Sequence, residues 1–142
     1  MKHNTTHDCK EELRESDLKV TPARLAVLKV LERTHTPVDV ASIISSLDKQ
    51  AIKTDPATVF RIMNVFTERG IAKQIQLQEG KSRYELAANA DHHHLVCTQC
   101  GDIEDISDCG IDVLEKEIKK KKNFLVKSHS LEFFGIRKSC QR

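Results

Sequence analysis

The stretch DPATVFRIMNVFTERGIAKQIQLQEGKSRYEL, residues 55–86, decides the fold. Asp55 can cap a helix and Pro56 suits its first position. Val59, Ile62, Met63 and Phe66 then recur at i, i+3, i+4 and i+7, which gives the helix one buried face, and Gly70 ends it. Its outer face carries Thr58, Arg61, Asn64 and Glu68. Past Gly70 the period changes to two. Ile75 and Leu77 alternate with Gln74 and Gln76, Glu79-Gly80 supplies a turn, and Ser82–Leu86 returns. This pattern predicts a β-hairpin.

Upstream, TPARLAVLKVLER (residues 21–33) reads as a helix with Thr21 as cap, Pro22 in the first turn, and Leu25, Leu28 and Leu31 on one face. A short helix follows over Val40–Leu47, with Val40, Ile43, Ile44 and Leu47 spaced for burial. Three short helices and then a hairpin is the order of a winged helix-turn-helix. Downstream, residues 87–91 (AANAD) are small and polar and read as a hinge. Strands are predicted over 95–97 and 102–106. A helix is predicted over 111–122, with Ile111, Leu114 and Ile118 inward, and a last strand over 124–134. The predicted fold class is α+β. A winged-helix DNA-binding domain spans 1–86, a hinge 87–91, and a small α/β metal-binding dimerisation domain 92–142, whose strands could pair across a two-fold axis.

Composition narrows the function classes. Hydrophobic content of 39% and charged content of 31% suit a globular chain of 142 residues, and with 4% aromatics its core must rest on Leu, Ile and Val. No stretch approaches a membrane span. Met1–Ser16 is polar and lacks the apolar run of a secretory signal, so a cytoplasmic protein is expected. Five Cys in such a chain argue against a disulfide framework. The net charge of +2 permits DNA binding without demanding it.

Four constellations carry chemistry. Arg61 can reach guanine or phosphate and Asn64 can pair with adenine, although exposed polar residues are the norm on any helix. Phe60 can pack on the preceding helix or touch a thymine methyl. The run Asp91-His92-His93-His94 lies close to Cys97-x-x-Cys100, with Asp105 nearby. On a strand, His92 and His94 share one face while His93 and Asp91 share the other, so two ligand sets become available. Imidazole with carboxylate suits Zn, Fe, Mn or Ni, and thiolate favours Zn. The C-x-x-C pair sits between two strands rather than between a strand and a helix, which favours a metal knuckle over a redox pair. Cys140 is its candidate partner and Cys109 the reserve, while Cys9 reads as a thiol in a disordered tail. His129 lies on the last strand, Glu85 closes the hairpin and Asp112 starts the helix. A metal held between Glu85 and His92/His94 would fix the angle between the domains. The run Lys119–Lys122 reads as a solvated helix end placed against the helix dipole.

Two other function classes remain at this stage. A metal-buffering protein would bind metal with no DNA affinity beyond weak, salt-sensitive contact. A metal hydrolase would need an open coordination position and a general base, and no catalytic motif such as H-E-x-x-H is present.

From about Leu18 to Cys140 the chain closely resembles the ferric uptake regulator family. The resemblance is carried by LKVTPARLAVLKVLE (18–32), ATVFRIMNVFTERGI (57–71), KSRYEL (81–86), HHHLVCTQCGDIEDI (92–106) and HSLEFFGI (129–136). It implies a homodimer that binds palindromic double-stranded DNA operators when loaded with a regulatory metal and usually represses, with no membrane association and no small-molecule substrate. Lys19, Arg24, Thr58, Phe60, Arg61 and Asn64 are then the DNA-facing set, with Phe60 where the family usually has Tyr. Glu85, His92, His94 and Asp105 match the sensing site. His35 is the nearest candidate for the further His that the family supplies, whose aligned position falls near Pro37. His93, Asp112 and His129 match a second site, with Asp91 where a His is common. Cys97, Cys100 and Cys140 match three of four structural zinc ligands. Arg137 stands where the other Cys would be, and its guanidinium is expected to oppose a cation. Iron at the sensing site is the first expectation and zinc the next. Asp105 in place of Glu also fits the peroxide-sensing branch, where that Asp goes with iron-driven oxidation of a His ligand.

Overall fold

The computed structural model describes residues 8–87 and 92–142, which fall into two compact units, Met1–Asn89 and Ala90–Arg142. Residues 88–91, most of the expected hinge, lie outside the described residues.

The first unit contains α1 (Cys9–Glu15), α2 (Pro22–Arg33), α3 (Val40–Lys49), α4 (Pro56–Glu68), β1 (Ala72–Gln76) and β2 (Ser82–Leu86). Each helix starts on a side-chain cap, as short polar residues before an amphipathic run should provide. The Thr21 hydroxyl accepts from the Arg24 N–H, Asp39 from that of Ser42, and Asp55 from that of Thr58. α1 corrects the expectation of a disordered tail. Asp8 accepts from the Lys10 and Glu11 N–H groups, and the following turns bury Cys9 and Leu13. In α2 the buried stripe is Val27, Leu28, Val30 and Leu31, while Leu25 is only partly covered, a rotation from the predicted Leu25–Leu28–Leu31 line.

Phe66, Leu13, Leu28, Leu31, Ile43, Leu47 and Met63 are fully buried and tie α1–α4 into one core. Such side chains contribute roughly 1.5–3 kcal/mol apiece relative to exposure. Gly70, at φ +73°, turns the chain out of α4 into the wing. β1 and β2 pair antiparallel from Ala72↔Leu86 to Gln76↔Ser82. Val38 adds an antiparallel bridge to Tyr84 through N–O distances of 2.9 and 2.7 Å, anchoring the hairpin to the segment before α3.

The second unit contains β3 (His93–Cys97), β4 (Ile103–Ile106), α5 (Ile111–Lys122) and β5 (Glu132–Gly135), then a 3-10 turn over Lys138–Cys140. The sheet order is β4-β3-β5, antiparallel on one side of β3 and parallel on the other. The expected strand from Phe124 to Phe134 is confined to β5. β3 offers only five residues, and residues 124–131 find no ladder partner among the described residues. α5 also departs from expectation. Ile111 and Ile118 are half-buried, but Leu114 is 52% exposed. α5 opens on Gly110 with no side-chain cap, and Asn123 in the left-handed region closes it by donating its N–H to the Lys119 carbonyl.

Candidate metal centres and DNA-facing helix

Pleating of β3 divides its imidazoles between two faces. His92, just before the strand, and His94 lie on the same side, with ring centroids 4.9 Å apart in an edge-to-face arrangement. Asp105 stands opposite His94 in register on β4. Its Oδ1 lies 3.9 Å from both Nε2 atoms, too far for hydrogen bonds. Ligand atoms around one transition-metal ion lie about 3–3.5 Å apart, given bonds of roughly 2.1 Å. Small side-chain rotations would let two imidazole nitrogens and a carboxylate meet one ion. His94 is buried, and Asp105 remains partly open to solvent.

On the other face, His93 Nε2 sits 2.9 Å from His129 Nε2. His129 is held from behind by Glu115 on α5, whose Oε1 lies 3.0 Å from Nδ1. A proton on Nδ1 donated to this carboxylate would leave the Nε2 lone pair free to bind a metal, as an outer carboxylate does at a metal-bound His. Asp112 does not join this pair and sits exposed on the first turn of α5. Glu115 was not singled out from the sequence. Its position one turn beyond Asp112, and so on the same helix face, was the available signal. Asp91 lies outside the described residues.

The third cluster joins the β3–β4 turn to the C-terminal 3-10 turn. The Sγ atoms of Cys97, Cys100 and Cys140 all lie within 4.8 Å of one another. Hydrogen bonds from the Arg137, Cys100 and Gln99 N–H groups hold the Cys97 thiol down to about 6, whereas burial pushes that of Cys140 up. Cys109 is not part of this cluster, since its Sγ rests 3.9 Å from the Ser107 carbonyl. Arg137, expected to oppose a cation, turns its guanidinium to carboxylates. Its guanidinium is ion-paired to Asp102 and lies 3.6 Å from Glu104, and only its backbone N–H touches Cys97, at 3.5 Å.

Cys9 is a different kind of thiol. It is buried, donates to Glu32 over 3.1 Å, and is pushed up to about 12 by burial and that carboxylate.

In the first unit, Arg61 and Asn64 are exposed on α4, and Phe60 is 49% exposed. Thr58 is used locally: its hydroxyl and N–H both bind Asp55 at the helix start. Arg24 lies beside Lys19 and donates to its carbonyl at 3.1 Å. Glu85 is buried on β2 opposite Lys73, and His35 is exposed between α2 and α3.

Residues 15–134 match the model of the ferric uptake regulator family. The ferric uptake regulation protein of Vibrio cholerae is 34% identical over 90% of this chain and 86% of its own length. Its crystal structure superposes with a TM-score of 0.80, covering 92% of this chain and all of that one. The peroxide-responsive repressor PerR of Staphylococcus saprophyticus is 31% identical over 91% of this chain and 86% of its own. The Helicobacter pylori ferric uptake regulator, whose structure reveals three functional metal-binding sites, is 28% identical with a TM-score of 0.79. It covers 94% of this chain and 89% of that one.

Proposed function

The chain belongs to the ferric uptake regulator family, and from that premise we propose that it is a metal-responsive transcriptional repressor that binds palindromic operators as a metal-loaded homodimer, with iron as the sensed metal. The observation that carries this reading is the convergence of His92, His94 and Asp105 on one face of the β3–β4 pair. A divalent ion bound there would supply positive charge that draws these side chains together. The two imidazoles and the carboxylate would hold it, with Glu85 and His35 as the further ligands that the resemblance implies. The proposed division of labour is DNA binding over 1–86 and metal binding with dimerisation over 92–142. The shift in DNA affinity equals the ion's differential affinity for the DNA-competent and incompetent arrangements, since no other energy is available to it.

For DNA, α4 is the recognition helix. Its buried face fixes it in the core, which leaves Arg61 and Asn64 to read base edges and Phe60 to meet a thymine methyl. Arg24 and Lys19 supply phosphate contacts. For dimerisation, the second unit exposes Ile106, Val113, Leu114, Phe133, Phe134 and Ile136, an apolar surface that a monomer rarely leaves to water. No helix among the described residues is long and apolar enough to cross a membrane.

Asp105 favours a second reading, peroxide sensing within the same family. An Asp pairs with His92 and His94 here, and a peroxide-responsive repressor is among the relatives.

The test is operator binding by fluorescence anisotropy, with operators selected from a random duplex pool in Mn(II). The His92→Ala/His94→Ala protein should remain a folded dimer and lose metal-dependent binding. Unchanged binding by the double variant would remove this site from the mechanism.

A further inference from the structure

Structural zinc sites close their shell with four protein ligands, whereas sites that keep a position for a small ligand offer three. This chain offers three. Among the described residues, no fourth Cys, His, Asp or Glu joins the sulfurs of Cys97, Cys100 and Cys140. Their mutual separation, within 4.8 Å, allows a tetrahedral thiolate set, whose sulfurs lie about 3.8 Å apart around one zinc.

Arg137 cannot fill the remaining corner, because a guanidinium has no lone pair to give and this one is turned away onto Asp102 and Glu104. Those carboxylates offset its charge, so it does not repel an ion at the sulfurs. The cluster is also open to solvent. Cys100 is exposed, as are its neighbours Thr98, Gln99 and Gly101, and Cys140 is half-exposed.

We propose that Cys97, Cys100 and Cys140 form a three-thiolate zinc site whose fourth position is open to solvent and accepts the thiolate of a small-molecule thiol. Water fills the position in the absence of such a ligand. An incoming thiol releases its proton to solvent, its sulfur bonds the metal, and the water leaves. Thiolate is the fitting class because three sulfurs already select a soft, zinc-like ion. The consequence is a metal exposed to attack without prior loss of a Cys. The site then responds to the thiol content of its surroundings rather than serving as a permanent staple.

Cobalt(II) is the probe, loaded into the full-length protein, because its sulfur-to-metal charge-transfer absorption grows with each bound thiolate and the imidazole–carboxylate sites do not contribute to it. Wild type should show a three-thiolate band. Arg137→Cys should raise that band by about one third and Cys140→Ser lower it by about one third, from the ratio of ligand counts. Added 2-mercaptoethanol should raise the wild-type band towards the Arg137→Cys level and leave Arg137→Cys itself unchanged. A wild-type band that ignores added thiol, or no thiolate band at all, would overturn the proposal. The wild-type thiol titration decides the matter by itself if Arg137→Cys does not fold. The DNA-binding reading is untouched by either result, because it rests on His92, His94 and Asp105.

Discussion

At the scale of single residues, the five cysteines show how environment divides one side-chain type. Cys9 is enclosed and faces Glu32, so burial and a like charge hold it as a thiol, whereas three backbone N–H groups hold Cys97 as a thiolate. In metal-free protein at pH 7, iodoacetamide should modify the exposed Cys100 and spare Cys9 until unfolding, a difference that peptide mass spectrometry reads directly. Labelling of native Cys9 at the rate of Cys100 would contradict the burial of α1. Asp39 carries a second residue-scale prediction. Its carboxylate binds Lys81 and caps α3, which holds it well below the usual carboxylate range, chiefly through Lys81. A group with a depressed folded pKa stabilises the fold above its ordinary pKa of about 3.9, and that stabilisation fades as pH falls below it. Asp39→Ala should cost about 1 kcal/mol in urea unfolding at pH 7. The gap should begin to narrow below about pH 4 and go on narrowing as the pH falls towards the depressed folded value. Candidate clusters were legible at this scale: spacing and resemblance named His92 with His94, and Cys97 and Cys100 with Cys140, which the structure brings close together. Glu115 and the direction taken by Arg137 were not, because each depends on which element lies opposite.

At the scale of elements, α4 and the wing were the most legible parts of the chain. A cap, a 3.6-residue period, a glycine stop and then a two-residue period all agree, and such agreement between local signals is what specifies structure. The two faces of α4 should separate by mutation. Phe66→Ala removes a fully buried ring and should destabilise the winged helix by about 3–5 kcal/mol in thermal or urea unfolding. Arg61→Ala should leave stability unchanged and cost about 1–3 kcal/mol of operator affinity in anisotropy titrations. α1 was harder to foresee, because CKEELRE offers only Cys9 and Leu13 to the core, and that burial is decided by α2 across from it. The last strand was overestimated for a complementary reason. Apolar residues near 124–126 favour extended chain, but a strand exists only where a partner strand continues, and in this parallel pair β3 begins at His93, with His94 already opposite Glu132. α5 makes its own prediction through Glu115. Glu115→Gln should weaken Mn(II) or Zn(II) binding at His93/His129 by about 10–100-fold in calorimetry, without disturbing the cysteine trio.

At the scale of the whole molecule, a net charge of +2 reveals little, since what matters for DNA is where the charge lies. The order of elements and of ligands along the chain was informative, and it pointed to a two-unit regulator before any side chain was placed. The measurement that tests that reading most directly is a pair of titrations on the wild-type protein with a selected operator duplex: DNA affinity with and without Mn(II) or Fe(II), and metal affinity with and without DNA. Metal-responsive repression predicts that metal tightens DNA binding by a factor in the range of about 5–150, and that DNA tightens metal binding by the same factor. DNA binding that is equally tight with and without metal, in protein whose His92–His94–Asp105 site is demonstrably loaded, would contradict it.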